Sequence, residues 1–300
     1  MPDTAFALPA QGLPMGSIGS PRTAVYRGRF CSFGEAWFVP PHAAPRVDVL
    51  TLRQVARPNG TAAPFATLLI DLTHGADDLL RAMKKDCQQH IRKASKDALA
   101  FEIMAPYQLK AQPAVIAEFA RYYGAFAKAK GLPQVNPDYL LQLARADLLW
   151  FTRARKQGDT LAWHSIVVNA GRARVLFGSR DQRSVSAEYD KATSRANRWL
   201  VWQSIQAFKA QGNRWFDLGG WYEGDTHAGL LGINQFKAGF GGTLVREYDC
   251  QMPLTLLGRA YCAGSRLARR LKAALAHARD RKSTRLNSSH VSESRMPSSA

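Results

Sequence analysis

Two glycine-bearing stretches hold the residues best suited to chemistry. Phe216-Asp217-Leu218-Gly219-Gly220 sets a carboxylate and two glycines at the end of an apolar run. Phe236-Lys237-Ala238-Gly239-Phe240-Gly241-Gly242 sets an amine among aromatic and glycine residues. When an amine attacks an activated ester, negative charge develops on the ester oxygen, and a buried ammonium aimed at that point lowers the barrier. Lys237 is therefore the candidate catalytic group, with Phe236 as a wall against water and Gly239 in the stretch that lets backbone come close to a substrate. Asp217 carries two readings of equal weight: it orients an attacking amine, or it caps the following loop. Gly219 and Gly220 permit a turn that shapes the groove.

Further candidates lie elsewhere. Arg180, in Phe177-Gly178-Ser179-Arg180-Asp181, is either a solvated surface arginine, the commoner fate of the residue, or a guanidinium fork matched to a phosphate or carboxylate, and Tyr189 falls in the loop expected after it. Arg92 and Lys93, with Lys84 and Lys85, form either a phosphate-binding face or a solvated helix side. His164 sits in a β-type run beside Trp163 and reads as a core or cross-strand residue; a general-base role for His227 stays open. Cys31, Cys87, Cys250 and Cys262 are scattered without a CxxC pair, which indicates neither a metal site nor a disulfide framework.

These residues need elements to position them. β-type runs are expected over Ala24 to Phe30, Val47 to Val55 and Phe65 to Leu72, with proline-rich turns between them. Leu80, Met83, Cys87 and Ile91 recur at helical spacing and predict one long helix, followed by a strand from Leu99 to Met104. Helices over Pro113 to Lys130 and Pro137 to Arg145 come next, the second opened by Asn136-Pro137. A three-strand meander follows, at Leu149 to Arg155, Thr160 to Asn169 and Arg172 to Ser179. Trp199, Leu200, Trp202, Ile205 and Phe208 mark an amphipathic helix ending at Gly212, ahead of a buried strand, Trp215 to Leu218. A short helix and a last strand, Thr243 to Cys250, complete an α+β pattern.

The Phe-Asp-Leu-Gly-Gly and Phe-Lys-Ala-Gly-Phe-Gly-Gly stretches resemble the "fDlgG" and "fK.gFGG" of the FemAB-type aminoacyltransferases. Leu79-Leu80 through Ile91-Arg92-Lys93-Ala94 resembles that family's "L...m...R.nIRkA.k.g". The resemblance runs from Phe65 to Asp249. It implies tandem GNAT-like (acyl-CoA N-acyltransferase-type) mixed β-sheet domains flanked by helices, over 21–110 and 111–258. It also implies an amide-forming transfer of an amino acid from aminoacyl-tRNA to a peptidoglycan-precursor peptide, with no resident cofactor. The alternative within the fold is an acetyl-CoA-dependent acetyltransferase. Against it, the place where a glycine-rich pyrophosphate loop belongs, between Ser179 and Trp202, contains no glycine.

The formal net charge is +18, which favours polyanionic partners: tRNA, a nucleotide- or lipid-linked muramyl peptide, or the surface of the inner membrane. A non-enzymatic RNA- or membrane-surface-binding protein is the remaining alternative, and it leaves the two glycine-bearing motifs unexplained. No run reaches the roughly 18 apolar residues of a membrane span, and Met1 to Ser20 lacks the pattern of a secretory signal. The expected place is the cytoplasm, with 1–20 a flexible leader. Residues 259–279 form a basic helix whose Leu267, Leu271 and Leu275 are expected to dock back on the protein. Residues 280–300 resemble a translated sequencing adapter and are set aside.

Overall fold

The computed structural model describes residues 21–40, 45–183 and 186–268. The strands are β1 (Thr23–Arg27), β2 (Ser32–Trp37), β3 (Val49–Val55), β4 (Thr61–Asp71), β5 (Ala100–Met104), β6 (Leu149–Lys156), β7 (Asp159–Asn169), β8 (Arg172–Arg180), β9 (Trp215–Gly220) and β10 (Thr243–Pro253). They form one sheet in the order β1-β2-β3-β10-β4-β9-β8-β7-β6-β5. β2 with β3 and β8 with β9 run parallel, and the other pairs are antiparallel. β10, from the later half of the chain, lies between β3 and β4 of the earlier half, so both halves contribute to a single mixed sheet.

The helices are α1 (Ala76–Arg81), α2 (Lys85–Ala94), α3 (Pro106–Ala111), α4 (Ala114–Lys130), α5 (Pro137–Arg145), α6 (Ala187–Ala210) and α7 (Ala228–Ala238). They cover both faces of the sheet. The two-residue alternation of a strand sends Trp150, Ala154, Ala162 and Ile166 to one face and Phe151, Trp163 and Val167 to the other. The first set meets Trp199, Leu200, Trp202, Ile205 and Phe208 of α6 with Met83, Cys87 and Ile91 of the α1–α2 pair. The second meets Phe119 and Tyr123 of α4 and Leu140 and Leu143 of α5. Fully burying one such side chain stabilises the fold by about 1.5–3 kcal/mol.

The structure corrects several sequence expectations. The long helix from Asp77 is two helices, because Lys84 turns to an extended conformation and its N–H donates to Gly239 O (2.9 Å). The apolar phase continues across the break, which hides it from periodicity. Leu79 rather than Leu80 is the buried member of that turn. β2 and α3 were not foreseen, and α6 begins at Ala187, so Tyr189 lies in its first turn rather than in a loop. Residues 256–268 are helical and Leu267 is 59 % exposed, so it does not dock; Leu271 and Leu275 lie outside the described residues. All four cysteines are buried free thiols. Among the described residues no helix is long and apolar enough to cross a membrane.

Candidate active site

β8 and β9 begin as a parallel pair, Arg172 to Arg174 alongside Trp215 to Asp217. The pairing stops there although β8 continues to Arg180 and β9 to Gly220. Between and above the parted strands lies a cavity of about 420 Å³. Its walls come from both faces of the sheet: Tyr123 and Phe126 of α4 on one, Ser194, Asn197 and Val201 of α6 on the other. A cleft of this kind gives two reactants separate approaches to one point.

Lys237 projects into this cavity from the last turn of α7. Its ammonium donates to Gly220 O, the final carbonyl of β9. An ammonium has three N–H donors, so two remain for a ligand. The side chain is half-buried overall, and burial of its amine pushes the pKa down to about 8; Arg174 pushes the same way and Asp217 opposes. Phe236 lines the cavity beside it, fixed by an edge-on contact with Phe240 (5.3 Å between centroids) and by the Arg198 guanidinium over its ring (5.2 Å). Gly219 takes φ +79°, and a Cβ there would sit 2.8 Å from Val175 O, so the strands part at a position only glycine fills without strain. Gly220 also lines the cavity, whereas Gly239 lies outside its lining. A Cβ on Gly239 would press on Phe236 O (3.1 Å), and its carbonyl anchors Lys84, which holds α7 against α2.

Asp217 is fully buried and stands behind the cavity wall, not in it. Its carboxylate accepts from Thr67 Oγ1 (2.5 Å), Gln54 Nε2 (3.0 Å), the Gly219 N–H (2.7 Å), and Arg172 through Nε (3.1 Å) and Nη2 (2.5 Å). Burial alone would raise its pKa, but Arg172, Arg174 and Thr67 hold it below the usual carboxylate value. Of its two sequence readings, the geometry shows the loop bond to Gly219 and leaves no lone pair directed at a reactant.

Arg180 lines the cavity, donating to Thr193 Oγ1 (2.9 Å) with Asp190 at 3.8 Å. Tyr189 is turned away: its hydroxyl donates to Asp181 Oδ2 (2.5 Å) and accepts from Arg183 (3.0 Å). Arg92 and Lys93 are exposed on α2 and do not line the cavity. His227 caps α7, its Nδ1 accepting from the Leu230 N–H (3.3 Å). His164 is buried as expected, yet it also lines the cavity, with Nε2 2.7 Å from Asn197 Oδ1 and Nδ1 without a partner. Burial pushes its pKa down to about 4 despite the Asn197 bond, so the ring is neutral. Asn197, Ser194 and Tyr123 carry no motif and enter the site only through tertiary packing. Among the described residues no group of three or more His, Cys, Asp or Glu side chains is placed to hold a metal ion.

Residues 81–237, more than half of the chain, match the family model described as acetyltransferase (GNAT) domain. A search of the curated proteins gives no match. Among solved structures, FemX is similar at 11 % identity and a TM-score of 0.51, with 61 % of each chain covered, so the alignment spans about three-fifths of FemX. L-PGS from Bacillus licheniformis aligns at 13 % identity and a TM-score of 0.44, covering 74 % of this chain and 73 % of that one.

Proposed function

The chain belongs to the acetyltransferase (GNAT) domain family and is an acyltransferase, and from that premise we propose that it joins an amino acid to an amine, using aminoacyl-tRNA as donor and a peptidoglycan precursor as acceptor. The observation that carries this reading is Lys237, a desolvated ammonium with open donors where β8 and β9 part. An unprotonated amine adds to the ester carbonyl, the new oxyanion is met by the Lys237 N–H groups, and collapse releases the tRNA 3′ hydroxyl with the amide formed. Phe236 keeps water from the ester, and Arg180 holds an anionic group of the acceptor. Asp217 is a positioning residue that sets the Gly219-Gly220 turn, and through it the carbonyl that holds Lys237. The likeness to FemX in fold and the net charge of +18 agree with a tRNA donor, and the reaction belongs in the cytoplasm, where that donor is found.

An acetyl-CoA donor is the lesser reading. The first turn of α6, where a pyrophosphate would rest on backbone N–H groups, carries Glu188 and Asp190, and Asp181 already takes the Arg183 N–H (2.9 Å) just upstream. Thermal stabilisation of the chain truncated after Arg279 tests the choice, with acetyl-CoA, uncharged tRNA, aminoacyl-tRNA and a UDP-linked muramyl peptide as ligands. A shift with the charged tRNA or the muramyl peptide and none with acetyl-CoA is expected. A shift with acetyl-CoA alone overturns the aminoacyl reading.

A further inference from the structure

A second cavity, of about 250 Å³, adjoins the first across Leu176 and Phe177, which line both. Trp37, Phe65 and Tyr139 supply its apolar walls; Arg53, Gln54, Asp249 and Arg174 supply its polar groups. Most of these are already committed. Arg53 donates to Glu35 (3.1 Å) and Asp249 (2.9 Å), and the Tyr139 hydroxyl donates to Glu35 (2.7 Å). Two groups are not.

Arg174 is 7 % exposed, and its Nε and Nη1 have no hydrogen-bond partner. Asp217 Oδ2 lies 3.9 Å from Nε, beyond hydrogen-bond reach, and already accepts from Arg172. The Trp37 and Phe65 rings attend the guanidinium, at 5.2 and 5.5 Å to their centroids. Cation–π contact leaves the N–H groups themselves unbonded. Gln54 Oε1 is the second uncommitted group. Its amide orientation is fixed, because Nε2 donates to Asp217 (3.0 Å) and Glu247 (3.2 Å), so the oxygen cannot exchange places with the nitrogen. A buried cation with unmade donors, lining the same cavity as a buried acceptor with no donor, is a mould for a ligand that supplies both.

We propose that this cavity binds a small oxyanion-bearing molecule, its carboxylate or phosphate on Arg174 and an adjoining hydroxyl or amine on Gln54 Oε1. The assignment is independent of the transfer reading. Fork geometry favours a carboxylate or phosphate over a halide, and the aromatic walls suit a short carbon skeleton.

Thermal shift of the full chain at fixed ionic strength tests it, with acetate, glycolate and inorganic phosphate as probes. At least one probe raises the Tm saturably, in wild type and in K237M alike, and glycolate surpasses acetate; equal responses to the two would overturn the Gln54 contact. In R174M the apparent affinity falls at least tenfold, and R174K, which keeps the charge without the fork, falls with it. A saturable response of equal size in wild type, R174M and R174K would place the anions on the basic surface and overturn the proposal, as would the absence of any response in wild type. Should R174M not fold, R174K carries the decision.

Discussion

Arg172 and Arg174 stand two residues apart on one strand, both nearly buried, and their surroundings are opposite. Arg172 spends its donors on Asp217 and Glu247 and lies over the Phe38 ring (4.4 Å). Arg174 keeps two nitrogens without a bond and faces a cavity. The same contrast separates Asp217, with every acceptor position used, from Lys237, with donors to spare. Saturated buried charge holds the fold, and the charges with unmade bonds are the two that the proposals above assign to ligands. Arg180, partnered but 30 % exposed at its side chain, lies between the two cases.

The sharpest break in this comparison comes from Asp217→Ala. It strips Arg172 and Arg174 of their shared anion, and removal of one member of a buried pair costs about 3–5 kcal/mol. Denaturant unfolding measures it, and a loss under about 1 kcal/mol would deny Asp217 its place in the framework. Lys237→Met is the mirror case. Transfer should fall about 10²- to 10³-fold, the loss that follows removal of one oxyanion donor, while the Tm holds or rises.

Protonation sharpens the same point. With Lys237 near pKa 8 in the folded protein against an ordinary 10.5, the unfolded chain binds more protons between those values, so stability rises with pH across that window. That slope should be missing from Lys237→Met. Transfer runs the other way, declining as pH climbs through about 8 and the ammonium is lost, and Lys237→Arg should carry whatever activity it retains to higher pH.

Smaller effects are expected where geometry rather than charge is disturbed. Gly219→Ala forces a left-handed residue against Val175 O, at about 1–2 kcal/mol for the conformation alone, seen as a lowered Tm together with slower transfer. Arg180→Ala should raise KM several-fold with kcat nearly unchanged, since it removes a binding contact and no transition-state contact. A fall in kcat of the same size would move Arg180 into the reacting set.

Much of this was legible in the residues themselves. The order of strands and helices from Leu149 to Cys250 follows from local periodicity, and the Phe-Asp-Leu-Gly-Gly and Phe-Lys stretches pointed to Lys237, Phe236, Gly219 and Gly220 at the first cavity. Arg174 was invisible because its significance lies in what it lacks, and Trp37 and Phe65, which enclose it, are more than 100 positions away. β2 was hidden by Glu35, a buried carboxylate within the strand that becomes intelligible only when Arg53, Trp37 and Tyr139 close around it. His164 was rightly read as buried, but its meeting with Asn197 across the cavity depends on how α6 lies on β7. Arg92 and Lys93 follow the solvated-side alternative, their spacing having set them opposite the apolar face of the helix, whereas Tyr189 carried no local sign that it would face away.

The place of β10 in the sheet bears on how the molecule comes into being. It binds β3 on one side and β4 on the other, joining Cys250 to Leu52 and to Ala62, so each contact closes a loop of nearly 200 residues. During synthesis β3 and β4 leave the ribosome long before β10 exists, and each presents an unpaired edge until it arrives. Such late, distant closure slows folding and leaves the nascent chain exposed to wrong pairing. A chain cut before Thr243 should accumulate as aggregate, although it keeps Lys237 and every residue matched by the family model.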